Sequence, residues 1–230
     1  MTAGHEIMAD SVTRGIARLC HFTPSRNLLH VLASGYLKDR STLDADAISE
    51  VNPTDEYRLD GHRDKICCSV EYPNSFYLDI VRKKDLLFHD WVVLFINPVV
   101  LWSPGTLFCR RNAAAESGGL IAAGWPGYAA MFAQNITGAG GKQFPRRGTH
   151  LDSAPTDMQA EVLVPGPISL DALLGMAMSS ENQVRTERAR WDTLGLATPN
   201  VPIVVAPDLF DKNALRNHIW NGRRPSEIAA

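Results

Sequence analysis

Apolar positions along the 230-residue chain fall either in short continuous runs or at three-to-four-residue spacing. These are the patterns of buried strands and of helices packed on them. Residues 18–22, RLCHF, predict a short strand. The spacing then changes: Leu28, Leu29 and Leu32 share a helical face, with Ser25 placed to cap its start and Gly35 to end it. Strands are also predicted at Lys65–Val70, Trp91–Ile96, 160–164 and Ile203–Val205. Helices are expected over 128–136, over 170–178 with Ser169 as its cap, over 181–194 and over 209–220. Two stretches lack periodicity: 40–64, where acidic residues outnumber basic ones, and most of 103–157, rich in Gly, Ala, Pro and Arg. Loops of that length inside a compact domain usually carry function. Strands and helices mix without regular βαβ alternation, which predicts an α+β fold around a mostly antiparallel or mixed sheet. The length suits a single domain, taken as 1–230.

Composition narrows the class. Hydrophobic residues make up 45% and charged residues 21%, a globular balance. Apolar runs such as Trp91–Ile96 fall far short of the ~20 residues that span a bilayer. The start, MTAGHEIMAD, has no apolar core, so the expected location is the cytoplasm, with no membrane partner. Net charge is −2, which argues against retention on DNA by bulk electrostatics. Of the 23 basic residues 17 are Arg, whose planar fork suits phosphate and pyrophosphate. Clusters at Arg110-Arg111, 142–147 and Arg223-Arg224 read equally well as solvated surface. The cysteines at 20, 67, 68 and 109 lack metal-ligand spacing, and vicinal Cys67-Cys68 reads as strand packing, so no metal is expected. There is no P-loop and no G-x-G-x-x-G after a strand. Any NAD site here is therefore not of the Rossmann kind.

Glu161, in PTDMQAEVLV, opens an apolar strand two residues after Gln159, so an extended chain projects both side chains to one face. A carboxylate beside a buried strand is costly unless it is paired or used. A strand-edge Glu in a salt bridge and a functional Glu both remain open. His21 and Thr23 form a second such pair, with a hydrogen-bonded core histidine as the ordinary alternative. Arg58 in DEYRLDG either balances Asp55, Glu56 and Asp60 or binds an anion. Tyr72, Phe76 and Tyr77 either stack on a flat ring or fill the core.

Together these segments resemble the DarT family, toxins that ADP-ribosylate single-stranded DNA. HFTPSRNLLHVLASGYL is similar to the family's His-x-Thr strand, Asn-Leu and helix ending in Gly-Leu. YRLDGHRDKICCSVEYPNSFYL resembles its central Arg, strand and aromatic, Pro-containing turn. WVVLFINPVVLW and CRRNAAAESG resemble the next strand and the Asn-Ala-Ala stretch of one branch. PTDMQAEVLV is similar to the Gln-Ala-Glu strand bearing the catalytic glutamate. The matches run in order over about residues 19–165. A shorter segment after the central Arg leaves Arg63 competing with Arg58, and the long 112–150 insert also differs, so thymine and guanine are both open as targets.

The resemblance implies an ADP-ribosyltransferase-like fold with a split central sheet and flanking helices, using NAD as substrate. It implies Glu161 and Arg58 as catalytic residues, and His21, Thr23, Asn27, Tyr72, Tyr77 and Gln159 around NAD. Arg146, Arg147 and His150 are implied near nucleic-acid phosphates. Single-stranded DNA, or alternatively RNA, is the implied acceptor, because a base must leave its stack to reach the pocket. A macrodomain ADP-ribosyl hydrolase is the implied antitoxin. The competing classes are an NAD glycohydrolase, an enzyme that removes phosphate from RNA on a related fold, and a non-catalytic nucleic-acid-binding protein.

Overall fold

Runs of β-branched and aromatic side chains build the middle of a mixed sheet. The computed structural model describes residues 3–46, 59–84, 88–197 and 200–230. Among these, nine strands form the main sheet: β1 Leu19–Pro24, β2 Lys65–Val70, β3 Trp91–Ile96, β4 Leu107–Cys109, β5 Ile121–Ala123, β6 Glu161–Pro165, β7 Leu173–Met178, β8 Ile203–Val205 and β9 Ile228–Ala229. Their order across the sheet is β9-β8-β7-β3-β1-β2-β6-β4-β5. Neighbours are antiparallel except β7 and β8. This is the α+β arrangement that the mixed pattern predicts.

Alternation divides the core. On β3, Val92, Leu94 and Ile96 enter one cluster, while Trp91, Val93 and Phe95 enter the other. The first face is covered by α1 (Ala3–Thr13), α2 (Ser25–Ser34), α5 (Gly124–Ala130) and α6 (Glu181–Thr193), through Ile7, Leu28, Val31, Tyr128, Val184 and Trp191. The second is covered by α4 (Ser75–Lys84) and α7 (Lys212–Trp220), through Leu78, Val81, Leu215 and Ile219. Each fully buried Leu or Ile in these layers contributes roughly 1.5–3 kcal/mol. No helix among the described residues is long and apolar enough to cross a membrane.

The sheet splits at β2, which changes partner along its length. Ser69 and Val70 pair with Cys20 and Leu19 of β1. Lys65 to Cys68 pair instead with β6, from Pro165 to Val162. The β1–β2 ladder ends at Cys20–Ser69, and the two strands part from there.

Several elements differ from the sequence expectation. Residues 170–178 are not a helix: Ser169 caps only the 3-10 turn Leu170–Ala172, its Oγ accepting from the Asp171 amide. The following Leu-Leu-Gly-Met-Ala-Met is β7, a strand imposed by pairing with β3 and β8 despite helix-forming side chains. The helix expected over 128–136 lies earlier, as α5, and Asn135–Thr137 pairs with Gln143–Pro145. The 209–220 helix is broken at Asp211, whose carboxylate caps α7 by accepting from Asn213 and Ala214 N. Ser25 begins α2 but makes no cap, because its Oγ donates to Glu187 Oε1 at 2.7 Å. Gly35 does end α2, in the left-handed conformation at φ 76°. The aperiodic 40–64 stretch opens with a short helix, α3 (Arg40–Ala45), capped by Asp39, and residues 47–58 lie outside the described ones.

Candidate active site

Glu161 is the first residue of β6 and is buried. Three donors hold its carboxylate: Asn74 Nδ2 at 3.1 Å and Asn112 Nδ2 at 3.3 Å on Oε1, and the Ala113 amide at 2.8 Å on Oε2. Two loops supply them. Asn112 and Ala113 follow β4, which pairs with β6 so that Cys109 lies opposite Glu161. The Asn112 Oδ1 accepts from the Ala114 amide and shapes that turn. Asn74 precedes α4; its Oδ1 accepts from the Tyr77 amide and its own amide donates to Ser69 Oγ. Three charge-assisted bonds of this kind fix a carboxylate's direction as well as offset its burial.

The chain reaches Asn74 through Glu71, a non-glycine residue at φ 62°. Such left-handed geometry is strained and persists only where surroundings impose it. Here the buried Glu71 carboxylate accepts from the Ala17 amide at 2.7 Å and from Arg224 Nη1 at 2.7 Å.

His21 stands where β1 and β2 part. Its Nδ1 lies 2.8 Å from the Cys67 carbonyl, which only accepts, so Nδ1 carries the proton and the ring bridges the split. Thr23, two residues on, receives a hydrogen bond from Asn27 Nδ2 on Oγ1 at 3.0 Å, both residues buried. All three line a cavity of about 350 Å³ together with Tyr77, Asn74, Asn112 and Glu161. The volume lies within the usual range for small-molecule sites. Lys38, Arg40 and Lys84 line the same cavity, Lys38 paired with Asp46 at 2.7 Å and Arg40 with Asp44 at 2.9 Å, and Asp39 and Asp60 line it with them.

Other predicted residues sit elsewhere. Tyr72 is buried in the core cluster on the second face and does not line the cavity, because the left-handed turn at Glu71 directs it there. Gln159 lies in the turn before β6, its amide donating to Asp157 Oδ1 at 2.9 Å, and its side chain does not line the cavity either. The same-face pairing with Glu161 requires extended backbone, which starts only at Glu161. Arg58 lies outside the described residues. Arg63 pairs with Asp44 at the surface, away from the cavity lining.

The loop preceding β6 is held from within. Arg146, expected at a phosphate, instead turns its guanidinium inward, donating to the carbonyls of Leu151 at 2.8 Å and Ala154 at 2.9 Å and to Thr156 Oγ1 at 3.2 Å. His150, likewise expected at a phosphate, is buried with Nε2 3.0 Å from the Pro155 carbonyl, and burial beside Arg146 pushes its pKa down to about 4. It is a neutral ring at physiological pH. Arg147 alone of the three is exposed, lying 3.8 Å over the Trp220 ring. Arg111 and Asp157, paired at 2.7 Å, tie this loop to the Asn112 turn.

Burial pushes the thiols of Cys20 and Cys109 up to about 12 and about 11, which removes them as nucleophiles. No group of three or more His, Cys, Asp or Glu among the described residues is arranged to hold a metal ion.

The family model described as ssDNA thymidine ADP-ribosyltransferase, DarT, matches residues 20–211. The chain belongs to the DarT family. No curated protein sequence matches it significantly. Among solved structures, it is similar to Thermosipho africanus DarTG in complex with ADP-ribose, at 11% identity and TM-score 0.58. That likeness covers 84% of this chain and 51% of the Thermosipho chain, so the chain spans about half that protein's length. It is also similar to Thermus sp. 2.9 DarT in complex with NAD+, at 13% identity and TM-score 0.56, covering 84% of this chain and 97% of that one. At such identities the likeness is one of fold. For a DarT chain, the residues that sequence reasoning missed are Asn74 and Asn112. The signal was present at both: an Asn directly before a helix, and an Asn opening a turn beside a predicted strand.

Proposed function

We propose that this chain transfers ADP-ribose from NAD to a base of single-stranded DNA, with Glu161 as the catalytic residue. The observation that carries the reading is the buried Glu161 carboxylate, aimed by Asn74, Asn112 and the Ala113 amide into a cavity shared with His21, Thr23 and Asn27. Membership of a family described as acting on ssDNA thymidine makes thymidine the base to test first, and guanine second. The Thermus protein is solved in complex with NAD+, and a further structure of that protein, at TM-score 0.51, is a complex with ADP-ribosylated ssDNA. Both support the same donor and acceptor here.

Leaving of nicotinamide builds positive charge on the ribose, as in glycoside cleavage. A carboxylate fixed beforehand stabilises that charge without reorganising, which is worth several kcal/mol where water is excluded. The base nitrogen then bonds to the anomeric carbon as the nicotinamide bond breaks, and Glu161 takes the proton that the nitrogen loses. His21, oriented by the Nδ1 bond to the Cys67 carbonyl, stands at the wall to contact the ribose or the amide of nicotinamide. Tyr77 supplies a ring at the wall for stacking, and Lys84 supplies a cation at the wall for the pyrophosphate. We place the activity in the cytoplasm, within one domain, as half of a pair with an antitoxin; the DarTG name of the Thermosipho relative supports the pairing.

Mass spectrometry of short DNA and RNA single strands incubated with NAD and the protein tests the reading. One ADP-ribose added to DNA, absent with Glu161→Ala, is expected. NAD consumed with no oligonucleotide modified overturns it in favour of a glycohydrolase.

A further inference from the structure

Several arginines have anionic or carbonyl partners: Arg18 with Glu227, Arg111 with Asp157, Arg146 with loop carbonyls, Arg224 with Glu71. Two others share one ring. The guanidinium carbons of Arg147 and Arg216 lie 3.8 Å and 4.9 Å from the same ring, that of Trp220. Neither makes an ion pair with a carboxylate among the described residues; Arg216 donates only to the neutral Asn213 Oδ1 at 3.1 Å. Two like charges gathered on one indole repel each other, a cost that a nearby anion lowers. A guanidinium lying over a ring keeps the N–H donors at its rim, the edge that binds phosphate.

The placement relates this pair to the cavity. The end of α7 is joined to the loop before β6: the Leu151 amide donates to the Ile219 carbonyl at 3.0 Å and Thr149 Oγ1 to the Trp220 carbonyl at 2.6 Å. Arg216 also approaches the Phe76 ring, at 6.0 Å, and Phe76 adjoins Tyr77 of the cavity wall. Phe76, Arg216, Trp220 and Arg147 thus form a row of ring contacts that begins one residue from the cavity-lining Tyr77.

We propose that Arg147 and Arg216, set by Trp220, form an anchor for the sugar-phosphate backbone of single-stranded DNA, beside the cavity that takes the reacting base. The inference rests on the proposed function and moves the nucleic-acid contact from Arg146 and His150 to the C-terminal helix. Backbone binding of this kind is independent of sequence and falls with salt. A single strand is required, because the neighbouring base must be able to turn into the cavity.

The test is anisotropy of a fluorescein-labelled, mixed-sequence DNA single strand titrated with the full chain across a salt series. The Arg147→Ala/Arg216→Ala variant is expected to bind about tenfold more weakly, with the log–log salt slope reduced by roughly 0.7 per arginine removed. Arg147→Lys/Arg216→Lys, which keeps the charges and guards against misfolding of the first variant, is expected to retain most of the slope. If the parent binds and the Ala variant keeps the same slope, the anchor is wrong and the proposed function stands. Equal affinity for a duplex of the same sequence also overturns it. If the parent neither binds nor modifies any single strand, the functional reading fails and the anchor with it.

Discussion

Asn74 and Glu161 are 87 residues apart in sequence and 3.1 Å apart in the fold, the amide of one donating to the carboxylate of the other inside the protein. Asn74 is also bonded to Ser69 and to the first turn of α4, so its amide has one direction available. The carboxylate proposed as catalytic is therefore aimed by a residue that belongs to a different loop.

Replacing Asn74 with Ala is expected to lower the transfer rate roughly 10- to 100-fold, the worth of a hydrogen bond to a buried charge. Asn74→Asp should be worse, since it places a second carboxylate against Glu161. Steady-state rates on a labelled DNA strand measure both. A rate within twofold of the parent for Asn74→Ala would show that Asn112 and Ala113 suffice.

His21 separates two roles by atom. Asn places an amide N–H near the Nδ1 position, so His21→Asn should keep the bond to the Cys67 carbonyl and the melting temperature. It should still raise KM for NAD about tenfold, having lost the ring's second nitrogen. His21→Ala should lose both. Paired melting and NAD titrations distinguish the outcomes; equal melting losses in the two variants would reject the bridging role.

His150 predicts a pH dependence. Its folded pKa, about 4, lies below the ordinary histidine value of 6.5, so the unfolded chain binds the proton more readily. Its contribution to stability is complete above about pH 6.5 and is lost as pH falls towards 4. Melting temperatures measured across that window should fall less steeply for His150→Gln than for the parent. Parallel curves would contradict the assignment.

Arg146 is expected to act on folding. Its Ala variant leaves the Ala154 carbonyl without this donor and weakens the half-buried loop, a loss of about 1–3 kcal/mol, or roughly 2–12 °C in melting temperature for a chain of this size. Calorimetry gives the result directly. An unchanged melting temperature would mean the inward contacts carry no stability.

Parts of this were legible in the sequence for a physical reason. Lys65–Val70, Trp91–Ile96 and Ile203–Val205 are strands with the predicted bounds, because β-branched and aromatic runs leave little alternative. Glu161 stood out as a carboxylate at the head of such a run, and His21 with Thr23 as two polar residues sharing a strand face; all three line the cavity. β7 was not legible, because its composition favours helix and its conformation is set by β3 and β8, distant in sequence. Nor was the inward turn of Arg146, since a basic loop reads as surface until the carbonyls that surround it are known. Tyr72 was displaced by one left-handed residue, Glu71, which no local signal marks.

The parting of β1 and β2 carries a consequence for how the chain becomes active. The cavity's walls meet across separations of 46, 49 and 87 residues, at His21–Cys67, Asn112–Glu161 and Asn74–Glu161. No fragment ending before β6 contains the carboxylate, and none lacking α4 can orient it. Closing the Asn112–Glu161 contact shortens the loop that Asn74–Glu161 must close, whereas His21–Cys67 closes a separate loop. A chain emerging from synthesis therefore cannot assemble this pocket until β6 is present, so the carboxylate and the loops that orient it come together only after two-thirds of the chain has been made.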